Sequence, residues 1–167
     1  KNIMKIPLYQ VDAFAEKPFA GNPAAICPLD QFLDDAVMQS IAIENNLSET
    51  AFLVGGDGAY DLRWFTPTLE VELCGHATLA SAFLIFERFA PDAEILRFQT
   101  RSGELTVARK DGMLFLDFPS YPGPAVDCPD ALTGGMGNTP QEVIEGANYM
   151  AVFQSEADIA ALAPNME

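Results

Sequence analysis

The chain has 167 residues, 49% apolar and 20% charged, the composition of a folded globular protein rather than a disordered one. Nine basic against 24 acidic residues leave a formal net charge of −15, a field that repels nucleic acid and anionic membrane, so any anionic ligand has to be held by local donors. Three widely spaced cysteines (Cys27, Cys74 and Cys128) and one histidine (His76) are too small a stock for the usual four-ligand zinc site, which is therefore discounted.

Unpaired thiols point to a reducing cytoplasm. No stretch approaches the roughly 20 apolar residues of a membrane span. The first ten residues lack the apolar core of a signal peptide, and Met4 reads as the natural start.

In chain order, "IPLYQVDAF" (6 to 14) is rich in strand formers and reads as a strand. A loop bearing proline and glycine follows, then a short apolar strand ending at Pro28. "LDDAVMQSIAIENN" places Val37, Met38, Ile41 and Ala42 at helical spacing behind an aspartate, which predicts an amphipathic helix with an N-cap. The Asp34/Asp35 pair is read as the charged start of that helix rather than an acid/base dyad. "TAFLVGG" and "AYDLRWFTP" are two strands joined by the turn residues Gly55 to Gly58.

From Ala77 to Phe86 every residue is apolar or small, and a helix without a polar face belongs inside a structure. "AEILRFQTRSGELTVARKDGMLFLDF" then alternates through three strands with turns at "RSGE" and "KDG", an antiparallel meander. The fold class expected is α+β, a curved antiparallel sheet wrapped around one buried helix, occupying a domain over 1–120.

Residues 121–167 read as a proline-rich linker and the incomplete start of a second domain. The segment predicts a helix around Gln141, a strand at 149–153 and a final helical run, with "GGMGN" (134 to 138) as a flexible connection.

Four places could carry chemistry. Gly75 and His76 stand at the entry of the buried helix, where unpaired backbone N–H groups and the helix dipole suit a carboxylate. His76 either adds a hydrogen bond or a proton to that site, or only caps the helix. Glu49, between Ser48 and Thr50, is either a solvated loop carboxylate or one whose pKa is raised by apolar neighbours toward that of a general base. Cys74 is either a thiol acidified by the helix start or a small buried apolar residue. Ser48 or Ser102 with His76 makes a weak case for hydrolysis, because no G-x-S-x-G elbow occurs.

Together "VDAFAEKPFAGNPAAI" (11 to 26), "NNLSETAFLV" (45 to 54), "LRWFTPTLEVELCGHATLASA" (62 to 82) and "TRSGELTV" (100 to 107) resemble the PhzF-like isomerases of phenazine biosynthesis, a branch of the diaminopimelate-epimerase-like superfamily. The resemblance implies two similar domains, each a sheet curled around a central helix, with the active site in the cleft between them. It implies isomerisation by proton transfer without cofactor or metal, on a small substrate that is anionic and in the known reaction cyclic. Glu49 matches the catalytic glutamate, His76 and Gly75 match residues lining the substrate site, and Asn22 lies near the pocket. A homodimer would also fit the family.

Two departures stand out. The "D-x-A-T-G-S-A" type of motif that the second domain contributes is not found in 121–167, so a binding module without catalysis is a competing reading. In the epimerase branch a cysteine at this helix start is one of two thiol bases, but the motif here is "CGHA" rather than "CGNG". Epimerisation with Cys74 as base is the alternative enzyme reading.

Overall fold

The computed structural model describes residues 5–165 other than 121 and 147. The chain divides into two compact units, 1–118 and 119–167.

The first unit holds β1 (Tyr9–Ala13), β2 (Asn22–Leu29), α1 (Asp35–Asn45), β3 (Glu49–Gly56), β4 (Ala59–Phe65), β5 (Glu70–Val71), α2 (Gly75–Arg88), β6 (Ile95–Thr100), β7 (Gly103–Lys110) and β8 (Met113–Asp117). The strands form one sheet in the order β1-β2-β3-β4-β6-β7-β8, with β5 attached to β4. Most neighbours are antiparallel, as the alternation predicts. β2–β3 and β4–β6 are parallel, because each pair is joined through a helix, α1 or α2, instead of a tight turn. Two hairpins close on Asp-Gly pairs with positive φ at both residues, 52° and 84° at Asp57-Gly58 and 52° and 75° at Asp111-Gly112. That is the turn whose twist matches the flanking strands.

The sheet curls around α2, which touches β1, β2, β3 and β8 and so meets both edge strands. Ala77, Ala80, Ala82, Leu84, Ile85 and Phe86 of α2 pack with Ala24, Ile26, Ala51, Leu62, Trp64, Leu96, Phe98, Leu105 and Val107 in the main core. Small residues let the helix approach the strands closely. Its buried hydroxyls are satisfied locally: Thr78 Oγ1 donates to the Cys74 carbonyl at 2.6 Å and Ser81 Oγ to the Ala77 carbonyl at 2.7 Å. The enclosure is incomplete, since Phe83 is 48% exposed and the sheet leaves one side of the helix uncovered.

A second, smaller core lies on the other face of the sheet, where Met38 and Ala42 of α1 meet Cys27, Phe52 and Phe65. Asp34 occupies the cap position of α1, but its side chain makes no cap hydrogen bond. Asp35 instead pairs with Arg63 of β4, on the face of the sheet that α1 covers, at 2.9 Å.

The second unit holds β9 (Ala125–Val126), α3 (Asp130–Met136), β10 (Glu142–Glu145), β11 (Tyr149–Val152) and α4 (Glu156–Ala160), with a sheet ordered β11-β10-β9. Two expectations fail here. The helix around Gln141 is a strand, because the β-branched pair Val143–Ile144 finds partners on both sides, in β11 and β9. The glycine-rich segment expected to be a flexible connection is largely helix. α3 runs through Gly134 and Gly135 and ends at Gly137, left-handed at φ 72°, whose N–H returns to the Thr133 carbonyl.

Overpacking tests the close approach of α2. Ala80→Leu is expected to cost about 1–3 kcal/mol in urea unfolding, whereas Phe83→Ala should stay within about 0.5 kcal/mol of wild type. A neutral Ala80→Leu would mean that α2 is not tightly enclosed.

Candidate active site

Glu49 is the first residue of β3. Strand alternation puts Glu49, Ala51 and Leu53 on the α2 side of the sheet, and Thr50 and Phe52 on the α1 side. The chain reaches Glu49 by a tight reversal after α1, where Asn46 adopts a left-handed conformation (φ 49°) and donates its N–H to the Ala42 carbonyl. Asn45 Nδ2 then donates to Thr50 Oγ1 at 3.0 Å, tying the helix end to the strand start across Glu49.

His76 enters from the first turn of α2. Its Nε2 lies 3.3 Å from Glu49 Oε2, and its Nδ1 lies 3.4 Å from Cys74 Sγ. Glu49 Oε2 and His76 Nε2 are both buried, yet neither has a hydrogen-bond partner. The two atoms are in electrostatic contact, but their alignment does not make a hydrogen bond. Buried polar atoms left unsatisfied are uncommon, and a catalytic role or a bound water or ion is among the explanations for them. Trp64 Nε1 is likewise buried without a partner. It sits on the same sheet face, opposite Ala51 and so diagonal to Glu49.

Cys74 is buried at the residue preceding α2. Burial pushes its thiol up to about 12, and the neighbouring charge of Glu49 acts in the same direction. The backbone N–H groups of Ala77 and His76 reach the sulfur and oppose this, but burial wins. The thiol is therefore protonated at neutral pH. Gly75 keeps the helix entry narrow: a Cβ there would lie 3.2 Å from the ring of Phe118.

Asn22 opens β2 on the same face as Ala24, the register partner of Glu49. It is exposed, and among the described residues no hydrogen bond links it to Glu49, Cys74 or His76. Ser48 is exposed. Ser102 is engaged elsewhere, donating to the Glu72 carbonyl at 2.8 Å.

That bond belongs to an anchoring network that sequence reasoning missed. Arg63 holds Glu70 with two parallel hydrogen bonds of 2.7 Å, and Arg101 reaches the same carboxylate at 2.7 Å. Arg63 also lies over the rings of Phe32 and Phe65. Hydrogen bonding to Glu70, followed by Asp35, keeps the Arg63 guanidinium charged, and Arg63 holds the Asp35 carboxyl below its usual range. The network pins β5 and, through Ser102, the segment leading into Cys74. "TRSGELTV" contained Arg101 and Ser102, but nothing in the linear order placed them beside Glu70 and Glu72.

One carboxylate oxygen, one sulfur and one ring nitrogen of Glu49, Cys74 and His76 lie within 4.8 Å of one another. Three donors therefore converge, one fewer than the four-ligand site discounted from the sequence.

A half-barrel with a carboxylate, an imidazole and a thiol gathered at the start of its central helix defines a class of α+β protein. The fold is shared with a predicted epimerase from Pseudomonas aeruginosa, at a TM-score of 0.68 and 22% identity. The phenazine biosynthesis-like protein family model matches residues 11–167, and the chain belongs to that family. An uncharacterised isomerase of Pseudomonas aeruginosa is 52% identical over 97% of this chain and 62% of its own length. The human phenazine biosynthesis-like domain-containing protein is 44% identical over 81% of this chain and 51% of its own. A PhzF-family crystal structure from Enterococcus faecalis superposes with a TM-score of 0.87 at 44% identity, covering 97% of this chain and 62% of that one. The chain thus spans less than two thirds of these relatives. Among the described residues, no helix is long and apolar enough to cross a membrane.

The buried thiols make stability depend on pH. Ordinary thiols ionise near 9.0, folded Cys27 near 11 and folded Cys74 near 12. Above about pH 9 the unfolded chain sheds protons that the folded chain retains, so stability is full below that pH and declines as pH rises toward the folded values. Urea titrations from about pH 8 to about pH 10.5 should show this decline, and Cys74→Ala should make it shallower. An unchanged slope in both Cys74→Ala and Cys27→Ala would exclude the thiols as its cause.

Proposed function

We propose that the protein is a cofactor-independent isomerase that moves a proton on a small carboxylate-bearing substrate, cyclic compounds included, with Glu49 as general base and acid. The observation that carries this reading is the meeting of Glu49 Oε2 and His76 Nε2, both buried and without hydrogen-bond partners, 3.3 Å apart at the start of α2. The names of the isomerase relatives and the match of "NLSETAF" and "CGHATLASA" to the family support it.

In this reading Glu49 takes a proton from carbon. The electron pair left behind delocalises into the adjacent unsaturated system, and the carboxylic acid returns the proton to another carbon. No electrons are gained or lost overall, so the step calls for no redox group. His76 lies against the same carboxylate and orients it or the substrate, and Asn22 and the Gly75 backbone line the approach. The substrate carboxylate is read as resting at the helix entry, where the dipole favours negative charge in an otherwise repulsive protein.

The competing assignment makes Cys74 the base. A thiol held near 12 by burial and by Glu49 has very little thiolate at neutral pH. This favours the carboxylate.

Incubation in D₂O with candidate cyclic carboxylates should place deuterium on carbon, because a protonated Glu49 exchanges with solvent before giving its proton back. Glu49→Gln is expected to slow incorporation by about 10²–10⁴-fold. Wild-type incorporation in Glu49→Gln, with loss in Cys74→Ala, would move the base to the thiol.

A further inference from the structure

Glu49, Cys74 and His76 are also side chains of the kinds that bind metal ions, and one ligand atom of each lies within 4.8 Å of the others. Thiolate, imidazole and carboxylate are each zinc ligands, and three protein ligands with one position open is the usual coordination of a non-structural zinc site. With Zn–S near 2.3 Å and Zn–N or Zn–O near 2.0–2.2 Å, two ligands on one tetrahedral ion stand roughly 3.3–3.6 Å apart. Cys74 Sγ lies 3.4 Å from His76 Nδ1 and Glu49 Oε2 lies 3.3 Å from His76 Nε2, so whichever ring nitrogen an ion takes, one edge is already close to that length. A given ion takes one ring nitrogen, and the remaining donor closes by no more than about 1.5 Å from the 4.8 Å limit of the cluster. Glu49 Oε2 and His76 Nε2 have no hydrogen bonds that such a shift would break.

We propose that Glu49, Cys74 and His76 form a binding site for a thiophilic divalent cation, of which Zn²⁺ is the physiological example, and that the ion acts as a reversible blocker of the site. Sulfur and imidazole together select Zn²⁺, Cd²⁺ and Co²⁺ over Mg²⁺ and Ca²⁺, which prefer oxygen ligands alone. Binding displaces the Cys74 thiol proton to solvent, and the thiolate and carboxylate then neutralise the ion's two charges. A net charge of −15 raises the local concentration of cations further. The ion occupies the carboxylate that would take the substrate proton, so Zn²⁺ inhibits proton transfer. That inhibitory consequence rests on the proposed role of Glu49; the binding itself does not.

Co²⁺ reports on such a site without turnover. Titrating the chelator-treated protein with Co²⁺ should produce a thiolate-to-cobalt charge-transfer band and the visible bands of a tetrahedral ion, both abolished by Zn²⁺. Cys74→Ser should lose the charge-transfer band, His76→Gln and Glu49→Gln should weaken binding at least about tenfold, and Cys128→Ser should behave as wild type. Circular dichroism of each variant shows whether it has folded. No charge-transfer band in the wild type, or one that survives Cys74→Ser, overturns the proposal. A Cys74-dependent band in a protein whose deuterium exchange ignores Glu49→Gln leaves the metal site standing and removes only the assignment of the base.

Discussion

A helix that is apolar or small along nearly its whole length has to be enclosed, and the first unit is arranged around that requirement. α2 cannot rest on a flat sheet without leaving most of its circumference in water, so the strands curl until both edges, β1 and β8, reach it. The alanines at 77, 80 and 82 permit the close approach, and Thr78 and Ser81 return their hydroxyls to the helix backbone. Enclosing the body of α2 leaves its first turn as the place where backbone donors, His76 and Cys74 meet the incoming strand that carries Glu49.

The sheet serves two cores at once, which makes its register consequential for chemistry. Along β3 the inward residues are Glu49, Ala51 and Leu53, while Thr50 and Phe52 face the other way, with Phe52 meeting α1. A slip of one residue would turn Glu49 away from His76 and drive Phe52 into the space beside α2. The two apolar faces therefore fix which side of the sheet the carboxylate faces. On the other side of the site, the bonds among Arg63, Glu70 and Arg101 and from Ser102 to Glu72 keep the approach to Cys74 from drifting. In a chain with nine basic residues, committing two arginines to one carboxylate is a substantial share of the available positive charge.

Much of the first unit was legible because its signals are local. Asp-Gly pairs announce the hairpins at 57–58 and 111–112, alternation marks the meander of β6 to β8, and the unbroken apolar run marks α2. In the second unit local signals misled. Val143 and Ile144 became a strand because they have neighbours to pair with, and Gly134 and Gly135 were absorbed into a helix stopped by Gly137. Short elements with weak propensity are decided by their contacts.

The site divides in the same way. The order of residues determined which groups are available: a carboxylate at the head of a strand, a thiol and an imidazole at the head of a buried helix, and a surplus of negative charge. Only the folded chain decided that Glu49 and His76 stand 3.3 Å apart, that Asn22 remains exposed, and that burial keeps the Cys74 thiol protonated despite the helix start. Pairing across 27 residues and desolvation by neighbours far along the chain are properties of packing, and no window of sequence contains them.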